Sequence, residues 1–160
     1  MKTCILLPGK IKPRALAAAQ EEYIGRLKPF GVETVGYRDE KISAHAQEKT
    51  RETEALRIGK FLKEGDYLVA CDERGRAVTT EEMASLFKAA RHGDHPFAGR
   101  RRIVIVIGGA LGLAESVRQR ADAVWALSSL VMAGGIARLV LLEGIYRAFT
   151  LIEGHPYHNE

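Results

Sequence analysis

Two groups of residues in this 160-residue chain have the types and spacing to do chemistry. One is the run Gly108-Gly109-Ala110-Leu111-Gly112, three glycines within five positions. Glycines let a backbone turn sharply and approach a ligand closely. The other is the tail, where His155, Tyr157 and His158 offer groups that donate, accept or stack. Chain ends ordinarily fray, so a disordered end is the plainer expectation for that tail taken alone.

The elements around the glycine run tell where it must sit. Ile103-Val104-Ile105-Val106-Ile107 is unbroken β-branched sequence and predicts a strand buried on both faces, as in a parallel sheet. A helix-like segment at 113–121 follows. Strand, glycine loop and helix in that order build a nucleotide-sized pocket at the carboxyl end of an α/β sheet. A tight strand-to-helix turn with no ligand fits the loop equally well. The loop is not a phosphate-cradling P-loop, because no Lys-Ser or Lys-Thr follows the last glycine. Nor is it the dinucleotide fingerprint, since the glycines run G-G-x-x-G and follow the fourth strand rather than the first.

Across the chain, strands are predicted at 3–7, 32–37, 67–71, 103–107 and 123–127. Helices are predicted at 13–27, 44–62, 80–90, 113–121 and 135–149. The alternation predicts a mostly parallel sheet flanked by helices in one α/β domain spanning 1–160. Thr79-x-x-Glu82 is a capping-box pattern that opens the third helix. The last helix carries Ile136, Leu139, Val140, Leu141, Leu142, Ile145, Tyr146 and Phe149, apolar on more than one face. Such a helix predicts a subunit interface in addition to a core, most simply a dimer.

Composition bounds the remaining classes. Hydrophobic residues make up 46% and charged residues 28%, ordinary for a globular protein. No apolar run reaches the roughly 20 residues of a membrane span. Cys4 and Cys71 lie in apolar strands and read as buried thiols, which points to the cytoplasm. The net charge of +4 permits an anionic partner. Lys88, Arg91, His92 and His95 lead into Arg100-Arg101-Arg102, either a solvated basic loop or a phosphate-contacting patch.

Taken together, several short motifs resemble one family. Leu7-Pro8-Gly9-Lys10-x-Lys12 and Asp39-Glu40-Lys41 stand near the front. Ile107-Gly108-Gly109-x-x-Gly112 and Leu127-Ser128-x-Leu130 follow. Arg138-x-x-x-x-Glu143-x-x-Tyr146-Arg147-Ala148 and Pro156-Tyr157-His158 complete the set. In this order and spacing they resemble the RlmH family of the SPOUT superfamily, methyltransferases of bacterial 23S rRNA. The resemblance covers essentially the whole chain.

That resemblance implies a SPOUT-type sheet with a C-terminal trefoil knot and a homodimer. It implies S-adenosyl-L-methionine as cofactor, no metal, and methyl transfer to N3 of a pseudouridine on the assembled ribosome. Carried over by position, it implies a cofactor pocket of Cys71, Gly108 and Leu127, Ser128, Ser129, Leu130, Val131 and Met132. It makes Arg147, Tyr157 and His158 the catalytic candidates.

The chain departs from the family at Gly144, where Gln is usual, at Asn159, where Arg commonly follows the His, and above all at one loop. The usual Leu-Thr-x-Pro-His is here Leu130-Val131-Met132-Ala133-Gly134-Gly135. A hydroxyl, a proline and a histidine are missing together. Two other readings therefore stand beside the first: an RNA-binding knotted dimer with weakened catalysis, and a methyltransferase for a different RNA.

Overall fold

The structure, a computed structural model, describes residues 1–40 and 46–159, with side chains through Tyr157. Five strands, β1 (Lys2–Pro8), β2 (Val32–Tyr37), β3 (Asp66–Ala77), β4 (Arg102–Ile107) and β5 (Ala123–Ala126), form one sheet. Their order is β2-β1-β4-β3-β5, and every pairing is parallel. The helices are α1 (Arg14–Leu27), α2 (Gln47–Phe61), α3 (Thr80–His92), α4 (Glu115–Arg120) and α5 (Gly134–Ile152). A short 3-10 turn, Pro156–Asn159, closes the chain. The expected α/β architecture with a helix-flanked parallel sheet is what is found. The predicted helix start at Ala44 lies outside the described residues.

Strand alternation divides the core into two layers. Ile5, Leu7, Val69, Ile103, Ile105 and Ile107 point to the side covered by α1, α3 and α5. Cys4, Leu6, Leu68, Ala70, Val104 and Val106 point to the other, where Ile58 of α2 and Val117 of α4 meet them. The β-branched run of β4 is thus buried on both faces, because the sheet has helices on both faces. The capping box forms as its spacing predicts: Glu82 N donates to Thr79 Oγ1 at 3.2 Å, and Thr79 N donates to Glu82 Oε2 at 2.9 Å.

Strand β3 runs six residues past its expected end at Cys71. Beyond a register shift, Arg76 and Ala77 pair with Trp125 and Ala126. Gly75 makes this possible: a Cβ there would fall 2.6 Å from the Val124 carbonyl oxygen. The charged, glycine-containing sequence after Cys71 reads as a loop, yet its backbone lies flat on β5.

Helix α5 packs one side against α1 and α3, burying Leu141, Leu142, Ile145 and Phe149. Ile136 and Val140, one turn apart on the same helix, stay exposed. Among the described residues, no helix is long and apolar enough to cross a membrane.

Candidate functional site

At the carboxyl end of β4 the chain turns back on itself. Gly112 N donates to Gly109 O at 3.0 Å, and Gly112 has φ +76°, a left-handed conformation that suits glycine. Gly108 packs directly on the return: an added Cβ would fall 2.6 Å from the Gly112 carbonyl carbon. The loop is therefore compact and presents backbone rather than side chains.

This loop forms one wall of a cavity of about 490 Å³. The opposite wall is the connection from β5 to α5, with Leu127, Ser128, Leu130, Val131 and Met132. Cys71 and Gly108 also line it. Of the residues carried over as cofactor contacts, all but Ser129 face this cavity. Ser129 is exposed and stands outside the lining. Within the connection, Ser128 Oγ accepts from Leu130 N at 2.9 Å. Leu130 and Val131 project outward, 73% and 86% exposed.

A charged edge completes the cavity, formed by Arg51, Asp72, Glu73 and Arg74. Arg74 grips Asp72 through two hydrogen bonds of 2.8 and 2.9 Å. Burial pushes the Asp72 carboxyl up, but the bonds from Arg74 outweigh it and hold the group below the usual carboxylate range. Burial drives the Cys71 thiol up to about 12, so it is a neutral wall and not a nucleophile. The motifs of the sequence did not single out this edge. Asp72-Glu73-Arg74 had a local signal, since charged residues at a strand's carboxyl end face ligands in open α/β sheets. Arg51, sixty positions from the Leu111 carbonyl that it contacts, had none.

The cavity fits S-adenosylmethionine. Its volume lies within the range for small-molecule sites, and its lining sets apolar side chains such as Leu127, Leu130 and Met132 beside charged and polar groups in comparable measure. The apolar walls suit a purine and the methylene groups beside a sulfonium. The charged edge suits an amino-acid zwitterion.

The catalytic candidates sit elsewhere on the subunit. Arg147 is thirteen residues along α5 from Gly134, roughly 20 Å at 1.5 Å per residue. There the tail is folded, not frayed. Tyr157 Oη lies 3.1 Å from Tyr23 Oη of α1, and its ring meets Tyr146 edge-on at 4.8 Å. The Arg147 guanidinium sits 5.0 Å from the Tyr157 ring centroid. Its Nε donates to Glu143 Oε1 at 2.8 Å, and this bond raises the Arg147 pKa further. Burial first, then the bond with Tyr23, lifts Tyr157 to about 12, so it is protonated at neutral pH. The structure thus brings Arg147 and Tyr157 together but leaves both outside the cavity lining. His158 lies outside the residues whose side chains are described.

Three arginines of the basic run are committed to carboxylates. Arg91 pairs with Glu153 at 2.5 Å, Arg100 with Asp122 at 2.6 Å and Arg102 with Asp66 at 2.7 Å.

A parallel α/β sheet whose glycine loop and final connection enclose one pocket defines a small-molecule-binding α/β protein. Over residues 1–158 the chain matches the family described as Predicted SPOUT methyltransferase, and it belongs to that family. It is similar to Ribosomal RNA large subunit methyltransferase H of Syntrophotalea carbinolica, 36% identical over 160 residues and 99% of each chain. The protein of the same name from Geobacter metallireducens is 39% identical over 160 residues, again 99% of each. That from Halothermothrix orenii is 34% identical over 164 residues, 99% of this chain and 100% of its own. The resemblance read from the motifs is borne out.

Proposed function

We propose that the protein transfers a methyl group from S-adenosylmethionine to N3 of a pseudouridine in large-subunit ribosomal RNA. It acts in the cytoplasm, on the assembled ribosome, as a single-domain homodimer. The observation that carries this reading is the convergence of the β4 glycine loop and the β5–α5 connection on one cavity of about 490 Å³. The names of the relatives support the RNA substrate. A trefoil knot is the reading of the last segment, supported by the match to the SPOUT methyltransferase family over residues 1–158.

In this reading the residues divide the labour. S-adenosylmethionine, when bound, supplies the methyl electrophile. Cys71, Gly108, Leu127, Ser128, Leu130, Val131 and Met132 hold it, while Ser129 stands outside the lining. N3 of a pseudouridine is a poor nucleophile until its proton leaves. His158 is the base in this reading, because Tyr157 is held protonated and serves as a donor. Arg147, fixed by Glu143, stabilises the negative charge that develops on the base ring.

These groups and the pocket belong to different subunits in this account. The tail of one copy reaches the pocket of the other across the α5 face. Exposed Leu130, Val131, Ile136 and Val140 at the head of α5 support that contact.

A second reading is a knotted RNA-binding dimer that no longer transfers methyl groups, and the loop at 130–135 favours it. Calorimetric titration with S-adenosylmethionine separates the two. Micromolar binding at one site per subunit is expected. No heat up to millimolar cofactor would contradict the enzymatic reading.

A further inference from the structure

The glycine loop is held from below by residues the family motifs leave out. Glu54, on α2, is 5% exposed. Its carboxylate lies directly under Gly109, where an added Cβ would fall 2.7 Å from Oε2 and 2.8 Å from Oε1. Oε1 accepts from Glu40 N at 2.9 Å, so the same carboxylate holds the chain that leaves β2. One turn earlier on α2, Arg51 Nε donates to Leu111 O at 3.0 Å. From β2, Tyr37 Oη donates to Ile107 O at 2.9 Å. Three side chains from the other half of the chain thus touch residues 107, 109 and 111 in turn.

We propose that Glu54 is a positioning residue for the cofactor loop, acting with Arg51 and Tyr37 to set the loop's backbone before any ligand binds. Gly109 is then glycine because the Glu54 carboxylate occupies the space of its side chain. The charge is buried beside the backbone, where it fixes geometry more strongly than an exposed contact would. Burial, followed by the Glu54 charge, pushes the Tyr37 phenol well above its usual range and keeps it a donor to Ile107. A preorganised loop loses less entropy when it closes on a ligand. This inference rests on the cofactor pocket proposed above but names residues outside its lining, except Arg51.

The test combines variants with two readouts, amide hydrogen exchange of the ligand-free protein and calorimetry with S-adenosylmethionine. Glu54→Ala is expected to speed exchange of the amides at 108–113 and to weaken cofactor binding by about tenfold or more, the scale of a lost charged hydrogen bond. Glu54→Gln keeps an acceptor for Glu40 N and is expected to restore most of both. Gly109→Ala is expected to weaken binding in the wild-type background. In the Glu54→Ala background, with the carboxylate gone, it should add little, a non-additivity that direct contact requires. Wild-type exchange at 108–113 in a folded Glu54→Ala protein overturns the inference. So does faster exchange spread evenly over all five strands, or full additivity of the two changes. If the unmodified protein binds no S-adenosylmethionine, the cofactor reading fails while the exchange data still decide the role of Glu54.

Discussion

Gly108 and Gly112 touch through their backbones: a Cβ on Gly108 would stand 2.6 Å from the Gly112 carbonyl carbon and 2.7 Å from Leu113 N. Those atoms are backbone and cannot swing aside as a side chain would. Gly108→Ala therefore moves the loop, not a neighbouring rotamer. Displacing pocket geometry by about 1 Å costs on the order of a hundredfold in function. The variant is expected to lose S-adenosylmethionine binding by calorimetry while keeping the circular dichroism of the folded sheet.

The tail and the pocket should separate cleanly in mutagenesis. Arg147 and Tyr157 lie together, outside the lining of the pocket. Arg147→Ala is expected to leave cofactor affinity within about threefold of the unmodified protein and to lower methyl transfer by about a hundredfold, the scale of one lost charge-stabilising donor. Calorimetry and a methylation time course check the two halves. A large loss of cofactor affinity in this variant would place Arg147 in the pocket instead.

Ile136 and Val140 test the dimer. They are exposed neighbours on α5, at 41% and 39%, and lie outside the pocket lining. Val140→Asp would bury a carboxylate in an apolar contact between copies. Sedimentation is expected to shift from dimer to monomer at micromolar protein. Methyl transfer is expected to fall with it, because the tail then has no second pocket to reach.

Asp66 links stability to pH. Burial raises its pKa, but hydrogen bonds from Arg102 and Lys63 N outweigh that and bring it below the usual carboxylate value. A depressed folded pKa means the unfolded chain binds the proton first. The stabilisation is thus complete above the ordinary value near pH 4 and is lost as pH falls through the folded pKa. Asp66→Asn is expected to cost about 3 kcal/mol at pH 7, because it leaves the Arg102 charge without its partner. The gap should narrow at pH 3, measured by urea midpoints at both values.

Much of this arrangement was legible in the sequence. The β-branched run at 103–107 located the central strand, because a strand buried on both faces has no polar side to interrupt it. The glycines after it marked the pocket wall. Three things were not legible. Strand β3 continues to Ala77 because Gly75 lets its backbone lie on β5, a tertiary contact with no local signal. The charged edge of the pocket draws Arg51 from α2 and Asp72 from β3, far apart in sequence. The exposed face of α5 was anticipated from its excess of apolar positions, though one side of the helix does pack against α1 and α3. The tail's order was not visible in its composition. It depends on Tyr23, 134 residues away.

The central claim is methyl transfer to ribosomal RNA. The most direct measurement supplies the purified protein with methyl-labelled S-adenosylmethionine and ribosomes from a bacterium lacking this methylation. The RNA is then digested and its nucleosides are separated by mass. The account predicts label in large-subunit RNA as N3-methylpseudouridine, absent with the Gly108→Ala variant. Label in another nucleoside would contradict the proposed target. No label in any ribosomal RNA, from protein that binds the cofactor, would contradict the proposed function itself.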